Sequence, residues 1–253
     1  MKKISVVINT YNAEKHLEEV LTAVKDFDEV VICDMDSTDG TLAIAERFGC
    51  KIVCFREEKC SYVEPARNFA IQSATHEYVL LVDADEVVTP ELKNYLYNLL
   101  AEENCPQGVK IPRKNFFMRR FMRSTYPDHL LRFFKKDCCN WPRTIHSQPT
   151  IKGRISKIPA KKRELAFIHL DNPTITQLIN KLNNYTTQEL EREKHKKRGV
   201  LSFLFHSSFR FYKFYVIKQG WRDGIEGFIY ISINTPYKLV TFAKNIEQEK
   251  NNK

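Results

Sequence analysis

Apolar residues along this chain come first in short unbroken runs and later in helical stripes. Residues 78–82 are such a run, bounded by polar residues, and 4–8, 29–33 and 51–55 are β-branched stretches that carry one polar residue each, Ser5, Glu29 and Lys51. Runs of that length without alternation predict strands covered on both faces, as in a parallel sheet. Between them, 14–25 sets Leu17, Val20, Leu21 and Val24 on one helical face. Residues 41–48 read as a second helix stopped by Gly49, and 63–73 as a third. Strand and helix alternating at this spacing predict a doubly wound, mostly parallel α/β sheet of Rossmann-like type. After a helix at 90–103, with Pro90 in its first turn, the pattern shifts to short strands at 108–112, 130–134 and 165–170, among Arg, Lys and aromatic residues. From Thr174 it turns helical: 175–197, 200–218, and 222 to near 248. Gly199 and Gly220 mark breaks, and Pro236 a kink or stop.

A chain of 253 residues suits one large domain, or one domain with an appendage. Its charge is unevenly placed. Residues 1–150 carry 20 Lys and Arg against 22 Asp and Glu, whereas 151–253 carry 20 against 9. The basic surplus of the C-terminal part points to anionic partners there: lipid headgroups, phosphorylated glycans or nucleic acid. Seven cysteines show no metal-finger spacing, and Met1-Lys2-Lys3 runs straight into the first strand. The expectation is a cytoplasmic protein with reduced thiols packed mostly in the core and no secretory leader. No uncharged apolar run approaches the ~18 residues of a spanning helix.

The chemistry collects where strands end. Tyr78-Val79-Leu80-Leu81-Val82 runs into Asp83-Ala84-Asp85-Glu86. Asp83 and Asp85 are two apart, so both carboxylates lie on one face while the chain stays extended. Open α/β sheets bind ligands outside the carboxyl ends of their strands. There an Asp-x-Asp pair suits a hard cation, Mg2+ or Mn2+, shared with substrate phosphates; a solvated acidic turn is the other reading. Thr10-Tyr11-Asn12 closes the first strand and opens a helix, a place for anions and, through Tyr11, for a flat base. Asp34, Asp36 and Ser37 end the second strand, where a carboxylate can meet a ribose or a base N–H. Arg67, on the helix before the acid-ended strand, carries a fork suited to a diphosphate. Asp34-x-Asp36-x-Thr38 also fits the signature of the haloacid dehalogenase phosphatases, which would make Asp34 a nucleophile.

In order, Val6-Val7-Ile8-Asn9-Thr10-Tyr11-Asn12, Asp34-x-Asp36-Ser37-x-Asp39-Gly40-Thr41, Ala66-Arg67-Asn68 and Leu81-Val82-Asp83-Ala84-Asp85-Glu86 resemble the family 2 glycosyltransferases of GT-A fold. Later stretches resemble the branch of β-1,4-glucosyltransferases of lipopolysaccharide and lipooligosaccharide core synthesis. These are Tyr126-Pro127-Asp128-x-x-Leu131-Arg132-Phe133-Phe134, Trp141 to His146, Lys181-x-x-x-Tyr185 and Gly220-x-x-Asp223-Gly224-x-x-Gly227-Phe228. The resemblance implies a nucleotide-sugar site lined by Thr10, Tyr11, Asn12, Glu14, Asp34, Asp36, Ser37, Arg67, Asp83 and Ala84. It implies a divalent metal on Asp85, with Asp83 on the ribose or the metal. Many relatives follow the histidine at 146 with Glu, but here Ser147 and Gln148 follow it, so a role for that acid does not carry over. The implied organisation is a transferase domain at 1–170, with a nucleotide-binding half at 1–105 and an acceptor-side half at 106–170. A basic, aromatic helical region follows at 171–253.

Sugar transfer with inversion needs charge neutralisation on the leaving diphosphate and a base beside the acceptor hydroxyl. Asp128, Glu86, His129 and His146 are the candidates for the base, with Asp128 first. In the C-terminal part, Lys194, Lys196, Lys197 and Arg198 precede Phe203, Phe205, Phe209, Phe211, Tyr212, Phe214 and Tyr215, with Lys213, Lys218 and Arg222 among them. That combination suits a helix in an anionic membrane interface, and equally a packed core with a solvated face. The expected enzyme takes a UDP-hexose such as UDP-glucose and a glycan or glycolipid acceptor at the inner face of a bacterial membrane. A phosphatase and a non-catalytic nucleic-acid-binding protein are the readings from other classes, although no recognised nucleic-acid module is present.

Overall fold

Alternate residues of the first strand enter two different cores. Ile4, Val6 and Ile8 pack into one and Val7 into the other, and all four are fully buried. The strand is therefore covered on both faces, which is why its sequence shows no polar alternation. The computed structural model describes residues 2–56, 64–142, 149–192 and 200–251. They form two compact units: Met1–Lys114 with Pro127–Leu170, and Asn115–Tyr126 with Asp171–Lys253. The short Asn115–Tyr126 segment thus groups with the C-terminal helices and not with its neighbours in sequence.

The first unit opens with β1 (Ile4–Thr10), α1 (Glu14–Val24), β2 (Glu29–Asp34), α2 (Thr41–Arg47), β3 (Lys51–Cys54), α3 (Glu64–Ser73) and β4 (Tyr78–Asp83). Gly49, at φ +67°, takes the left-handed conformation that ends α2. Next come β5 (Glu86–Val87), α4 (Pro90–Ala101), β6 (Gly108–Ile111) and β7 (Arg113–Lys114). Thr89 caps α4, its hydroxyl accepting from the Leu92 N–H at 3.2 Å. The second unit supplies β8 (Phe116–Phe117) and β9 (Arg120–Phe121). The first then resumes with β10 (Leu130–Lys135), β11 (Cys139–Asn140), β12 (Thr150–Ile151), β13 (Ile155–Lys157) and β14 (Phe167–His169).

Seven strands make the main sheet, in the order β13-β6-β10-β4-β1-β2-β3. β4, β1, β2 and β3 run parallel, while β10 runs antiparallel to both β4 and β6. The register sets Asn9 opposite Asp83 and Thr10 opposite Asp34, so the carboxyl ends of β1, β2 and β4 finish level. A smaller sheet, β5-β14-β7, lies where β4 ends, and in it His169 pairs with Glu86. The architecture is α/β with a mostly parallel central sheet, as the sequence pattern predicts.

In the second unit, β8 and β9 form a hairpin whose Phe117 packs with Met122 and Leu178 in a small core. The helices are α5 (Ile175–Arg192), α6 (Val200–Tyr212), α7 (Gly224–Asn234) and α8 (Tyr237–Asn251). A π-helical turn, Lys213–Ile217, follows α6 where one continuous helix is predicted, and Pro236 separates α7 from α8. Asp223 is fully buried and accepts from the backbone N–H groups of Arg123 at 3.0 Å and Ser124 at 2.9 Å. Gly227 sits so tightly beneath it that a Cβ would lie 2.5 Å from the Gly220 carbonyl oxygen. Among the described residues no helix is long and apolar enough to cross a membrane. Of the described cysteines, all free, Cys33 and Cys105 are buried, Cys54 is exposed and Cys50, Cys138 and Cys139 are half-buried. Fewer are core residues than the sequence suggests.

Candidate active site

Two turns at the carboxyl ends of β1 and β2 are braced to each other by side chains. Asp34 is buried, and its Oδ1 accepts from the hydroxyls of Thr10 at 2.8 Å and Ser37 at 2.6 Å. Its Oδ2 accepts from the Ser37 N–H at 2.8 Å. The Asn12 N–H donates to Ser37 Oγ at 2.9 Å, and Asn12 Oδ1 accepts from the Thr38 N–H at 2.8 Å. Glu14 Oε2 accepts from the Gly40 N–H at 2.7 Å. Asn12 and Asp36 hold positive φ, +47° and +69°, a region that Asn and Asp tolerate better than other side-chain-bearing residues. Tyr11, 64% exposed, and Asp36, beside Arg56 at 3.3 Å, are left on the outer rim of this frame. An Asp34 enclosed by three donors has no open approach for a phosphate, which removes the nucleophile that the phosphatase reading needs.

At the end of β4 the acids separate into different surroundings. Asp83 Oδ1 accepts from Arg67 at 3.0 Å, and its Oδ2 is bonded by Arg132. Burial would raise the Asp83 pKa, but the guanidinium groups of Arg132 and Arg67 overcome it and hold the carboxyl well below its usual range. Glu86 is fully enclosed. Its Oε1 accepts from Arg113 at 3.0 Å and Arg132 at 3.2 Å, and its Oε2 from the Asp83 N–H at 3.1 Å. Arg113 reaches on to Asp128, donating to Oδ2 from Nε at 3.0 Å and Nη2 at 2.8 Å. The result is one alternating line: Asp128, Arg113, Glu86, Arg132, Asp83, Arg67. Arg67 ends it against the Trp141 ring, 4.8 Å from the centroid. Ala84, half-buried, packs against the main core and offers only backbone.

Asp85 stands outside that line. Its Oδ2 lies 3.1 Å from Nε2 of His169, and its carbonyl accepts from the Leu170 N–H at 2.7 Å. No group of three or more His, Cys, Asp and Glu that could hold a metal occurs among the described residues. One carboxylate beside one imidazole could hold a divalent ion only together with donors from a bound diphosphate and water, as divalent ions in nucleotide sites are held by few protein groups. His169 is absent from the sequence-based site. Its signal was a histidine at the end of a short apolar strand, and the pairing of that strand with β5 is what brings it to Asp85.

The Glycosyl transferase family 2 model matches residues 5–156, more than half of the chain. The chain belongs to glycosyltransferase family 2. An uncharacterized glycosyltransferase of Rickettsia bellii is 26% identical over 257 residues, covering 96% of this chain and 86% of its own. The lipopolysaccharide core biosynthesis glycosyltransferase LpsC of Rhizobium meliloti is 24% identical over 253 residues, covering 95% and 91%. Among solved structures, S. aureus TarS superposes with a TM-score of 0.49 at 20% identity, covering 85% of this chain and 44% of TarS. Family membership sets aside the phosphatase and nucleic-acid-binding readings. The mostly parallel sheet of the first unit is then the GT-A type sheet of a family 2 glycosyltransferase.

The residues that the sequence offers as candidate bases fall in unlike places. Asp128, at φ +37°, keeps a partly exposed carboxylate beside Arg113. Glu86 has no surface open to an acceptor, so as packed it orders Arg113, Arg132 and the turn after β4 instead of meeting substrate. A ring nitrogen of His129 is 2.7 Å from the Ile158 carbonyl oxygen, and burial lowers its pKa. His146 lies outside the described residues, as do Lys194, Lys196, Lys197 and Arg198.

Proposed function

We propose that this family 2 glycosyltransferase moves a hexose, with inversion, from a UDP-sugar such as UDP-glucose to a cell-envelope glycan of the lipopolysaccharide-core kind, working at the cytoplasmic face of the membrane. The observation that carries the reading is the set of unlike groups around one strand end. Asp83 is clamped between Arg67 and Arg132, and two residues on Asp85 lies against His169. The acceptor class draws support from the likeness to LpsC along nearly the whole chain.

Asp85 and His169 would hold Mg2+ or Mn2+, which when bound would neutralise charge on the leaving diphosphate. Tyr11 and Asp36, on the rim, would meet the base and ribose. Thr10, Asn12, Glu14, Asp34 and Ser37 keep those turns in shape. Arg67 would lend one edge of its fork to the diphosphate while Asp83 holds the other. Asp128 would take the proton from the acceptor hydroxyl onto its carboxylate, with Arg113 fixing its direction and Glu86 fixing Arg113.

The test is donor turnover by the full chain. UDP-hexoses and the corresponding GDP- and dTDP-sugars are each incubated with Mn2+, and release of the nucleoside diphosphate is followed with and without lipopolysaccharide-core acceptor. A UDP-hexose consumed faster with acceptor is the expected outcome. The reading fails if no UDP-sugar is consumed or raises the melting temperature in the presence of Mn2+.

A further inference from the structure

The second unit presents an apolar stripe to solvent. Phe205, Phe209, Tyr212 and Val216 succeed one another at steps of four, three and four residues, which sets them along one side of α6 and the π turn. Ile217, Trp221, Ile225 and Phe228 carry the apolar surface on into α7. All eight are exposed, Phe205 at 70%, Trp221 at 58% and Ile225 at 64%. Exposed apolar side chains gathered in this number along one short segment mark an interaction site.

The charges beside it are of one sign. Lys213, Lys218 and Arg222 are exposed, Lys218 lying 5.1 Å from the Phe214 ring and Arg222 6.0 Å from the Trp221 ring. Residues 205–228 contain two acids, and neither is exposed. Asp223 is buried on the backbone of Arg123 and Ser124, and Glu226 is half-buried beside Arg120 at 3.5 Å. Outward, this segment is therefore cationic and apolar together.

Three partners could take such a face, and the residue types separate them. Single-stranded nucleic acid rewards rings and cations, but aliphatic Val216, Ile217 and Ile225 give its bases no stacking platform. A second copy in an isologous contact would bring together two faces whose exposed charges, Lys213, Lys218 and Arg222, are all of one sign. A bilayer surface with anionic lipid accepts all three kinds of group: rings at the headgroup level, aliphatics at the acyl boundary and cations on phosphates. Lacking a helix that could span, the described chain would lie in the interface.

We propose that this face of the second unit docks on an anionic membrane, with Phe205, Phe209, Tyr212 and Trp221 entering the headgroup–acyl boundary and Lys213, Lys218 and Arg222 on lipid phosphates. It stands on the second unit alone and is independent of the donor and acceptor proposed above.

The full chain is sedimented with vesicles of phosphatidylcholine, alone or mixed with phosphatidylglycerol, some carrying brominated acyl chains. Binding is expected to need phosphatidylglycerol, to weaken with salt, and to leave a salt-resistant remainder from buried apolar area. Tryptophan emission should be quenched by the brominated lipid, and because Trp141 is buried the quench reports Trp221. Trp221→Phe should remove most of the quench while the protein still sediments. Lys213→Glu with Lys218→Glu should lower affinity about tenfold or more, and Phe205→Ser with Phe209→Ser should remove the salt-resistant part. These side chains are exposed, and Trp221→Phe keeps the test standing if the serine pair fails to fold. The proposal is overturned if anionic vesicles at low salt do not pull the protein down, or if bound protein shows no quench. It is equally overturned if the protein binds oligonucleotide but not vesicles, or if the serine pair turns a dimer into a monomer without changing vesicle binding.

Discussion

Nε2 of His169 lies 3.1 Å from Oδ2 of Asp85, across 84 residues of sequence. The contact exists because β14 runs antiparallel to β5, which directly follows Asp85, and because the Leu170 N–H holds the Asp85 carbonyl. An imidazole placed there would offer the proposed cation a nitrogen donor. His169→Ala is therefore expected to weaken Mn2+ binding in the presence of UDP about tenfold or more, measured by titration calorimetry or by the free-Mn2+ resonance. Unchanged affinity would make His169 a partner of Asp85 and nothing further.

Arg132 enters a strand that is otherwise core, between Leu131 and Phe133, and is neutralised there by Asp83 and Glu86. Burial works against its charge, but those two carboxylates prevail and raise its pKa. Arg132→Met should cost about 3–5 kcal/mol, because it strands Glu86 as a buried charge short of a partner. Urea unfolding checks it. Adding Glu86→Gln should recover part of the loss, and strict additivity would mean the two groups are uncoupled.

Asp128→Asn keeps the shape of the side chain and removes the proposed proton acceptor. The expected outcome is a fall in kcat of about 10²–10⁴ with little change in donor affinity. Arg113→Lys, which loses the fork that orients Asp128, should lower kcat less and leave donor binding intact. Loss of donor affinity in Asp128→Asn would move this residue into the nucleotide site.

Asp83 has a native pKa below its unfolded value, so its pairing with Arg132 and Arg67 stabilises the fold above about pH 4. That contribution is lost as pH falls toward the lower, native pKa. Asp83→Asn should lower stability at neutral pH and flatten the dependence of unfolding free energy on pH in that acidic window. Urea midpoints measured across the window give the slope, and an unchanged slope would mean Asp83 titrates normally.

The parallel part of the sheet is legible because its strands are covered on both sides. Val79 and Leu81 enter one core while Tyr78, Leu80 and Val82 enter the other, leaving a run with no polar break. Strands such as β5 and β7 escape notice because two residues hold their conformation only through partners distant in sequence. The acids of the site are visible in the sequence, but their surroundings are not. Nothing local distinguishes enclosed Glu86 from its neighbour Asp85. Arg132 did carry a signal: a charge between Leu131 and Phe133 inside an apolar run must find partners when buried. The π turn after α6 leaves none, since its residues would serve equally well in an α-helix.

The alternating line from Asp128 to Arg67 also bears on the guest that the proposed donor site would receive. Its three guanidinium groups are each held by a carboxylate of the same line, so together they sum to zero, and Asp85 adds one more carboxylate at the strand end. A naked diphosphate would meet repulsion there, whereas one that brings its own cation would meet attraction. Selection would then act on the complex of donor and ion and not on the nucleotide by itself. Uridine, which has no phosphate, should bind alike with and without Mn2+, while UDP affinity should collapse when the metal is chelated.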